Sequence, residues 1–88
     1  NKYNKLCDIV AVYHSGYATP IELKGSKKKK SKAKAQIFSG KDIIESVLDL
    51  EVIYGKFVVY SQNGYFYKSL EFSKNKWSSW QFTPFNTI

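Results

Sequence analysis

Apolar and polar positions along the chain predict short strands and one helix. Residues 6–13 (LCDIVAVY) form a nearly continuous apolar run interrupted by Asp8, which is typical of a strand covered on both faces. Gly, Ser and Pro in residues 14–20 predict a turn, and residues 21–24 (IELK) resume as a strand. The two strands are expected to form a hairpin.

The helical pattern follows a basic segment. Residues 25–35 (GSKKKKSKAKA) are polar and charged, which favours a solvated loop. Ser39 and Asp42 form a capping-box pattern, and apolar residues then recur at helical spacing as far as Tyr54. Gly55 supplies a residue that commonly ends helices. We therefore expect an amphipathic helix from Ser39 to Tyr54.

Further strands are expected after the helix. Strand-like runs occupy residues 56–61, 65–72 and 77–82. The pair Asn63-Gly64 between the first two runs is a hairpin signal. The order predicts one α/β (α+β) domain over residues 1–88, with a small mixed sheet and one central helix.

Charge points to a polyanionic partner. The 88 residues carry a net charge of +7 and are 17% aromatic, unlike a disordered basic tail. Nucleic acid is favoured over an anionic membrane surface. All 14 basic residues are Lys, which favours contact with backbone charge over base reading, although an AT-rich genome explains the Lys usage equally well.

The single cysteine and the absence of long apolar runs bear on location. Cys7 alone forms no internal disulfide and no multi-cysteine zinc site, which fits a reducing cytoplasm. No run reaches the roughly 20 apolar residues of a membrane-spanning helix, and no secretory leader is recognisable. A cytoplasmic, intracellular location without membrane attachment is expected.

Two carboxylates and a lysine stand in otherwise apolar strands. Glu22 and Lys24 project from one face because strand side chains alternate, while Leu23 points the other way. A hairpin brings Asp8 within a few ångströms of Glu22. Two carboxylates with open coordination positions suit Mg²⁺ or Mn²⁺. The lysine would either orient the attacking water or neutralise charge in a transition state.

The segment from Asp8 to Glu22-Leu23-Lys24 resembles the D-x(n)-(D/E)-x-K signature of the PD-(D/E)xK nucleases. The basic segment, helix, VVY strand and aromatic hairpin that follow resemble archaeal Holliday-junction resolvases and their viral relatives over about residues 6–85. The resemblance implies a restriction-endonuclease-like fold and a homodimeric endonuclease acting on DNA, including branched junctions. It further implies a virus or mobile element as one source of the gene.

Residue roles follow from the same resemblance. Asp8 and Glu22 would bind Mg²⁺, with Mn²⁺ as a substitute and the Leu23 carbonyl as a further ligand, and Lys24 would be the catalytic lysine. The family usually has an N-terminal helix with an additional Glu and often Pro before the Asp; here the helix is apparently missing and Cys7 precedes Asp8.

The basic segment is expected to hold the phosphate backbone of DNA, with RNA as an open alternative. The predicted nucleic-acid-binding residues are Lys27, Lys28, Lys29, Lys30, Lys32, Lys34 and Gln36. Aromatic residues in the last strands would either stack on unpaired bases or fill the core and a dimer interface; they are Tyr65, Tyr67, Trp77, Trp80 and Phe82.

Two other functions fit the same sequence. One is a protein that binds nucleic acid without cutting it, on a degenerate nuclease fold. The other is a small basic β-barrel without nuclease ancestry, which would leave the apolar surroundings of Asp8 unexplained. Cleavage with and without metal distinguishes the nuclease from both.

Overall fold

Residues 7–86 are described by a computed structural model. The strands are β1 (Ile9–Val12), β2 (Ala18–Lys24), β3 (Tyr54–Tyr60), β4 (Gly64–Glu71), β5 (Lys76–Trp77) and β6 (Gln81–Pro84), and the helix is α1 (Lys30–Ile43). A 3₁₀ turn, Lys27–Lys29, leads into α1, and a π-helical turn, Ile44–Leu48, follows it. The predicted α+β class with a mixed sheet and one helix is confirmed.

The described sheet is open and has the order β1-β2-β3-β4-β5, with β6 also paired to β4. β1 and β2 form the predicted antiparallel hairpin. β2 and β3 are parallel because the intervening helix returns the chain to the same end of the sheet. The antiparallel pairing of β3 with β4 confirms the second predicted hairpin.

The basic segment is helical, so the predicted solvated loop over residues 25–35 is wrong. Ser26 caps the segment, since its side chain accepts a hydrogen bond from the Lys28 amide at 3.1 Å. Lysine is a good helix former, and its long side chain keeps the ammonium in solvent while the backbone is helical. A high charge density therefore did not prevent helix formation here.

The predicted helix start at Ser39 is also wrong, because Ser39 lies inside α1. The buried stripe of the helix is Ala33, Ile37, Gly40 and Ile44, at spacings of four, three and four residues. Two of these residues are small and add little to an apolar pattern. The stripe was therefore hard to recognise in the sequence.

The helical segment ends before the predicted Tyr54. Asp49, in the left-handed conformation with φ of 54°, follows the π-helical turn. Gly55 is not a helix cap but a buried residue of β3, where an added Cβ would collide with Cγ2 of Ile37. Glycine at this position allows the helix to approach the sheet closely.

The first and last predicted strands need correction. β1 has exposed residues and lies at the sheet edge, so the prediction of a strand covered on both faces is wrong for the described residues. The predicted last strand is two short strands, β5 and β6, separated by residues 78–80. Leu6 and the N-terminal segment in which the family's helix is expected to be missing lie outside the described residues.

One face of the sheet carries the core. Phe57, Val59 and Leu70 are buried against Ala33 and Ile37 of the helix. Strand alternation turns the intervening side chains of β3 to the opposite face, where Val58 is buried and Tyr60 is exposed. None of the described helices has the length and apolarity to cross a membrane.

Candidate active site

Strand register places Asp8 beside Glu22. Ile9 pairs with Ile21 in the antiparallel β1-β2 ladder, so Asp8, one residue before β1, lies opposite Glu22. Glu22 pairs with Phe57 in the parallel ladder and therefore shares the helix-covered face of the sheet. The Glu22 side chain is only 1% exposed.

Two hydrogen bonds hold the carboxylates in place. The Asp8 amide donates to Oε1 of Glu22 at 3.0 Å. The Leu23 amide donates to Oδ2 of Asp8 at 3.0 Å. Leu23 thus contacts the site through its N–H, and a metal-binding role for its carbonyl stays a prediction. Each carboxylate is oriented by the backbone of the opposite segment, which limits its rotation.

Lys24 brings a positive charge to the buried oxygen. Its Nζ lies 3.0 Å from Oε2 of Glu22. The contact is a short ion pair, and buried Oε2 has no other polar partner among the described residues. Burial raises the pKa of Glu22, the Lys24 ammonium opposes this rise, and the charge of Asp8 adds to it. The carboxylate is therefore costly to ionise without further cationic compensation.

Helix α1 lies close to β2 and covers the site. A Cβ added to Gly40 would lie 2.8 Å from Sγ of Cys7 and 3.1 Å from Cβ of Pro20. The free thiol of Cys7 is half-buried, and burial raises its pKa. A small residue in the helix therefore accommodates the segment that leads into Asp8.

A cavity of about 400 Å³ opens beside Lys24. Lys32, Ala35 and Gln36 of the helix line it together with Lys24. Lys32 and Gln36 are four residues apart and lie on the same side of the helix. The structure thus brings two of the predicted nucleic-acid-binding residues next to the candidate catalytic lysine.

Few acidic groups are available as metal ligands. Within residues 7–86, no group of three or more His, Cys, Asp or Glu side chains could bind one metal ion. The donor set at the site consists of the Asp8 and Glu22 carboxylates. A hard cation that keeps several water ligands, such as Mg²⁺, fits so few protein carboxylates.

The predicted phosphate-binding lysines are on the helix and its leading turn. Lys27, Lys28, Lys29, Lys30 and Lys32 are exposed, and Lys34 is half-buried. Salt bridges among the described residues involve only Lys24, Lys41 and Lys74 as cations. The ammonium groups of the basic segment are therefore free to bind anions.

Sequence reasoning missed Lys68, which joins the predicted Lys27 against aromatic rings on the helix-covered face. Nζ of Lys27 lies 4.0 Å from the ring centroid of Phe66 and 5.0 Å from that of Trp80. Nζ of Lys68 also lies 5.0 Å from the Trp80 centroid. Lys68 follows three consecutive aromatic residues in β4, and only the tertiary structure brings it to the helix.

The aromatic residues have separate roles. Trp77 and Trp80 pack against the core, which favours the core interpretation for these two, whereas Phe82 contacts Phe66 but is 46% exposed. Tyr65 and Tyr67 contact one another on the opposite face of the sheet, with ring centroids 6.1 Å apart. Base stacking and a dimer interface stay predictions for the remaining aromatic residues.

Comparison with protein-family models, with curated proteins and with solved structures found no match to this chain. The function is therefore inferred from the geometry of the described residues and from the motif they form.

Proposed function

We propose that this chain is a metal-dependent endonuclease of the PD-(D/E)xK type that cleaves phosphodiester bonds of DNA, including branched junctions. The buried Glu22 carboxylate, which is flanked by Asp8 and Lys24 and whose Oε2 has no described polar partner besides Lys24, carries the proposal. Burying a carboxylate costs free energy unless positive charge compensates it. A divalent cation would provide that compensation.

Asp8 and Glu22 would bind Mg²⁺ or Mn²⁺, and the resemblance adds the carbonyl of Leu23. Each carboxylate accepts a hydrogen bond from the segment that carries the other, since the Asp8 amide donates to Oε1 of Glu22 and the Leu23 amide donates to Oδ2 of Asp8. Lys24 is the one described polar partner of Glu22 Oε2. When bound, such an ion acts as a Lewis acid and lowers the pKa of a bound water. The donor set supports this assignment by its chemistry and by its small number of carboxylates.

The protein's own residues would orient the metal-binding carboxylates and neutralise charge on the phosphate. The amides of Asp8 and Leu23 hold the two carboxylates before substrate arrives, so little reorganisation is needed. The Lys24 ammonium favours the ionised form of Glu22 and would neutralise negative charge that develops on the phosphate. Lys32 and Gln36 would bind the DNA segment that occupies the adjoining cavity.

A homodimer and an intracellular, cytoplasmic location belong to the same proposal. The sheet face opposite the helix carries Tyr60 and Phe85, which are 55% and 48% exposed. Their rings stack with centroids 6.1 Å apart. Exposed apolar surface of this kind favours coverage by a second subunit, and two subunits would present two sites to two strands.

The experiment measures cutting of labelled four-way junction, duplex and single strand with Mg²⁺, with Mn²⁺ and with chelator. Asp8→Ala and Glu22→Ala should each reduce the rate by about 10²-fold or more while binding persists, because metal ions contribute several kcal/mol to such reactions. Asp42→Ala is the matched control, since Asp42 is exposed and forms no salt bridge among the described residues.

Two results would contradict the proposal. Binding without cutting under every metal condition would support the alternative, a non-catalytic nucleic-acid-binding protein. Cutting that survives both substitutions would indicate a contaminating nuclease or a different active site.

A further inference from the structure

A cluster of three lysines lies on the helix-covered face, where Phe57 of β3 separates Lys68 from Glu22 in the strand register. Among the described residues, the cluster contains no acidic partner. Lys27 and Lys68 each hold Nζ 5.0 Å from the ring centroid of Trp80. Lys30 is close enough to affect Lys68 electrostatically. Salt bridges in the described part of the chain involve none of these three lysines.

Lys68 is held in an unfavourable environment for a cation. It pairs with buried Phe57 in the β3-β4 ladder and lies on the helix-covered face, half-buried. Burial lowers the pKa of Lys68, and the charges of Lys30 and Lys27 lower it further. A cation-π contact with Trp80 offsets part of this cost.

We propose that Lys27, Lys30 and Lys68, against the aromatic wall of Phe66 and Trp80, bind a backbone phosphate of nucleic acid other than the phosphate that is cut. The ammonium groups supply donors and positive charge, and a phosphate oxygen accepts from each. The aromatic rings keep the lysine side chains extended and limit their hydration. The inference rests on the proposed function only for the identity of the partner and does not require cutting.

Lysines of the helix and of its leading turn lie at two different sites. Lys32 lines the cavity beside Lys24, whereas Lys27 contacts the Trp80 wall. A nucleic-acid strand along the N-terminal half of the helix would contact both. The second phosphate would then set the position of the strand relative to the carboxylates, which is how backbone contacts orient nucleic acid.

Intrinsic fluorescence reports on the site directly. Trp77 and Trp80 are the two tryptophans of the chain, and Lys68 lies over both rings. We would titrate the full chain, in chelator and without metal, with inorganic phosphate, with a single-stranded oligonucleotide and with an abasic strand of the same length. All three should change the fluorescence saturably, and the abasic strand should bind more tightly than inorganic phosphate.

Matched substitutions assign the effect. Lys68→Gln should weaken binding of the abasic strand about tenfold, the equivalent of roughly 1.4 kcal/mol for one lost charge-assisted contact. Lys76→Gln makes the same charge change at an exposed lysine with no salt bridge among the described residues and should weaken binding less than twofold. Lys27→Gln, at an exposed position, repeats the test should Lys68→Gln fail to fold.

Three outcomes would overturn the inference. They are equal effects of the Lys68 and Lys76 substitutions, binding of inorganic phosphate without binding of the abasic strand, and binding of the normal strand alone, which would indicate base stacking. Because metal is absent throughout, a failure of the nuclease proposal leaves the result unchanged.

Discussion

Glu22 is the residue whose position is hardest to explain by stability alone. Its side chain is 1% exposed, and its Oε2 has an ion pair with Lys24 as its one described polar contact. A neutral side chain of the same shape would avoid the cost of burying charge. We therefore attribute the carboxylate to the proposed cation site.

This explanation predicts an unusual pH dependence of stability. The ordinary pKa of Glu22 is near 4.5, and burial raises it in the folded chain. Between those two pKa values the folded chain holds more protons than the unfolded chain, so stability falls as pH rises through that window. Above the raised pKa the penalty is fully present, at about 1.4 kcal/mol per unit of pKa shift.

Glu22→Gln should therefore unfold at higher denaturant concentration than the wild type at pH 7 without metal. The difference should shrink as pH falls toward 4.5. Denaturant unfolding across this range measures it, with Glu51→Gln at an exposed position as the control. A variant less stable than the wild type at pH 7 would show that the carboxylate supports folding.

The candidate site residues could be predicted from the sequence because side-chain alternation and hairpin register depend on residues that are near one another in the chain. Alternation places Glu22 and Lys24 on one face, and a hairpin register brings Asp8 opposite Glu22. Lys68 could not be found in this way, because its contact with the helix depends on a crossover and two further strands. Contacts between residues far apart in the chain cannot be predicted from the local spacing of apolar residues.

At the scale of elements, the packing of α1 on the sheet depends on small residues. Gly40 faces Cys7 and Pro20, and Gly55 of β3 faces Ile37. Both allow the helix to lie close to β2 and β3, which encloses Glu22. The site therefore depends on a helix position that larger residues would displace.

Gly55→Ala should destabilise the fold by about 1–3 kcal/mol, the usual cost of overpacking. The added methyl would collide with Cγ2 of Ile37, which belongs to the buried helix stripe. Thermal unfolding measures the loss. Gly25→Ala is the control, because an added Cβ there meets no atom within 4 Å. Equal stability of the two variants would contradict the close helix-sheet contact.

The helix shows why element boundaries were mispredicted while the element order was correct. Apolar residues near Val47 and Leu48 gave the clearest pattern, yet these side chains are 69% and 51% exposed. The true stripe uses Ala33 and Gly40, whose burial depends on tertiary contacts. The sequence therefore indicated one helix between two hairpins without locating its first residue.

At the scale of the whole molecule, the sheet separates the basic helix from an exposed aromatic pair. The lysine-bearing helix covers one side of the sheet, and exposed Tyr60 and Phe85 lie on the other. This separation would let one chain bind nucleic acid and a second copy at the same time. The logarithm of the DNA-binding constant should fall linearly with the logarithm of the salt concentration, as expected when bound lysines release counterions from DNA.

The proposed dimerisation through the sheet face opposite the helix can be tested separately. Tyr60→Glu adds a charge beside Tyr65 and Phe85 and should shift sedimentation toward monomer without unfolding, because Tyr60 is 55% exposed. Val47→Glu adds the same charge at a 69% exposed helix position and should leave the dimer intact. A wild type that sediments as a monomer at every concentration would exclude the dimer.

The central claim is that Asp8 and Glu22 bind one divalent cation together. Calorimetric titration with Mn²⁺ tests it most directly, since it requires neither DNA nor cutting. We predict one ion per chain, lost in both Asp8→Asn and Glu22→Gln and retained in Asp42→Asn. Undiminished Mn²⁺ binding in either site variant, or no binding by the wild type, would contradict the account.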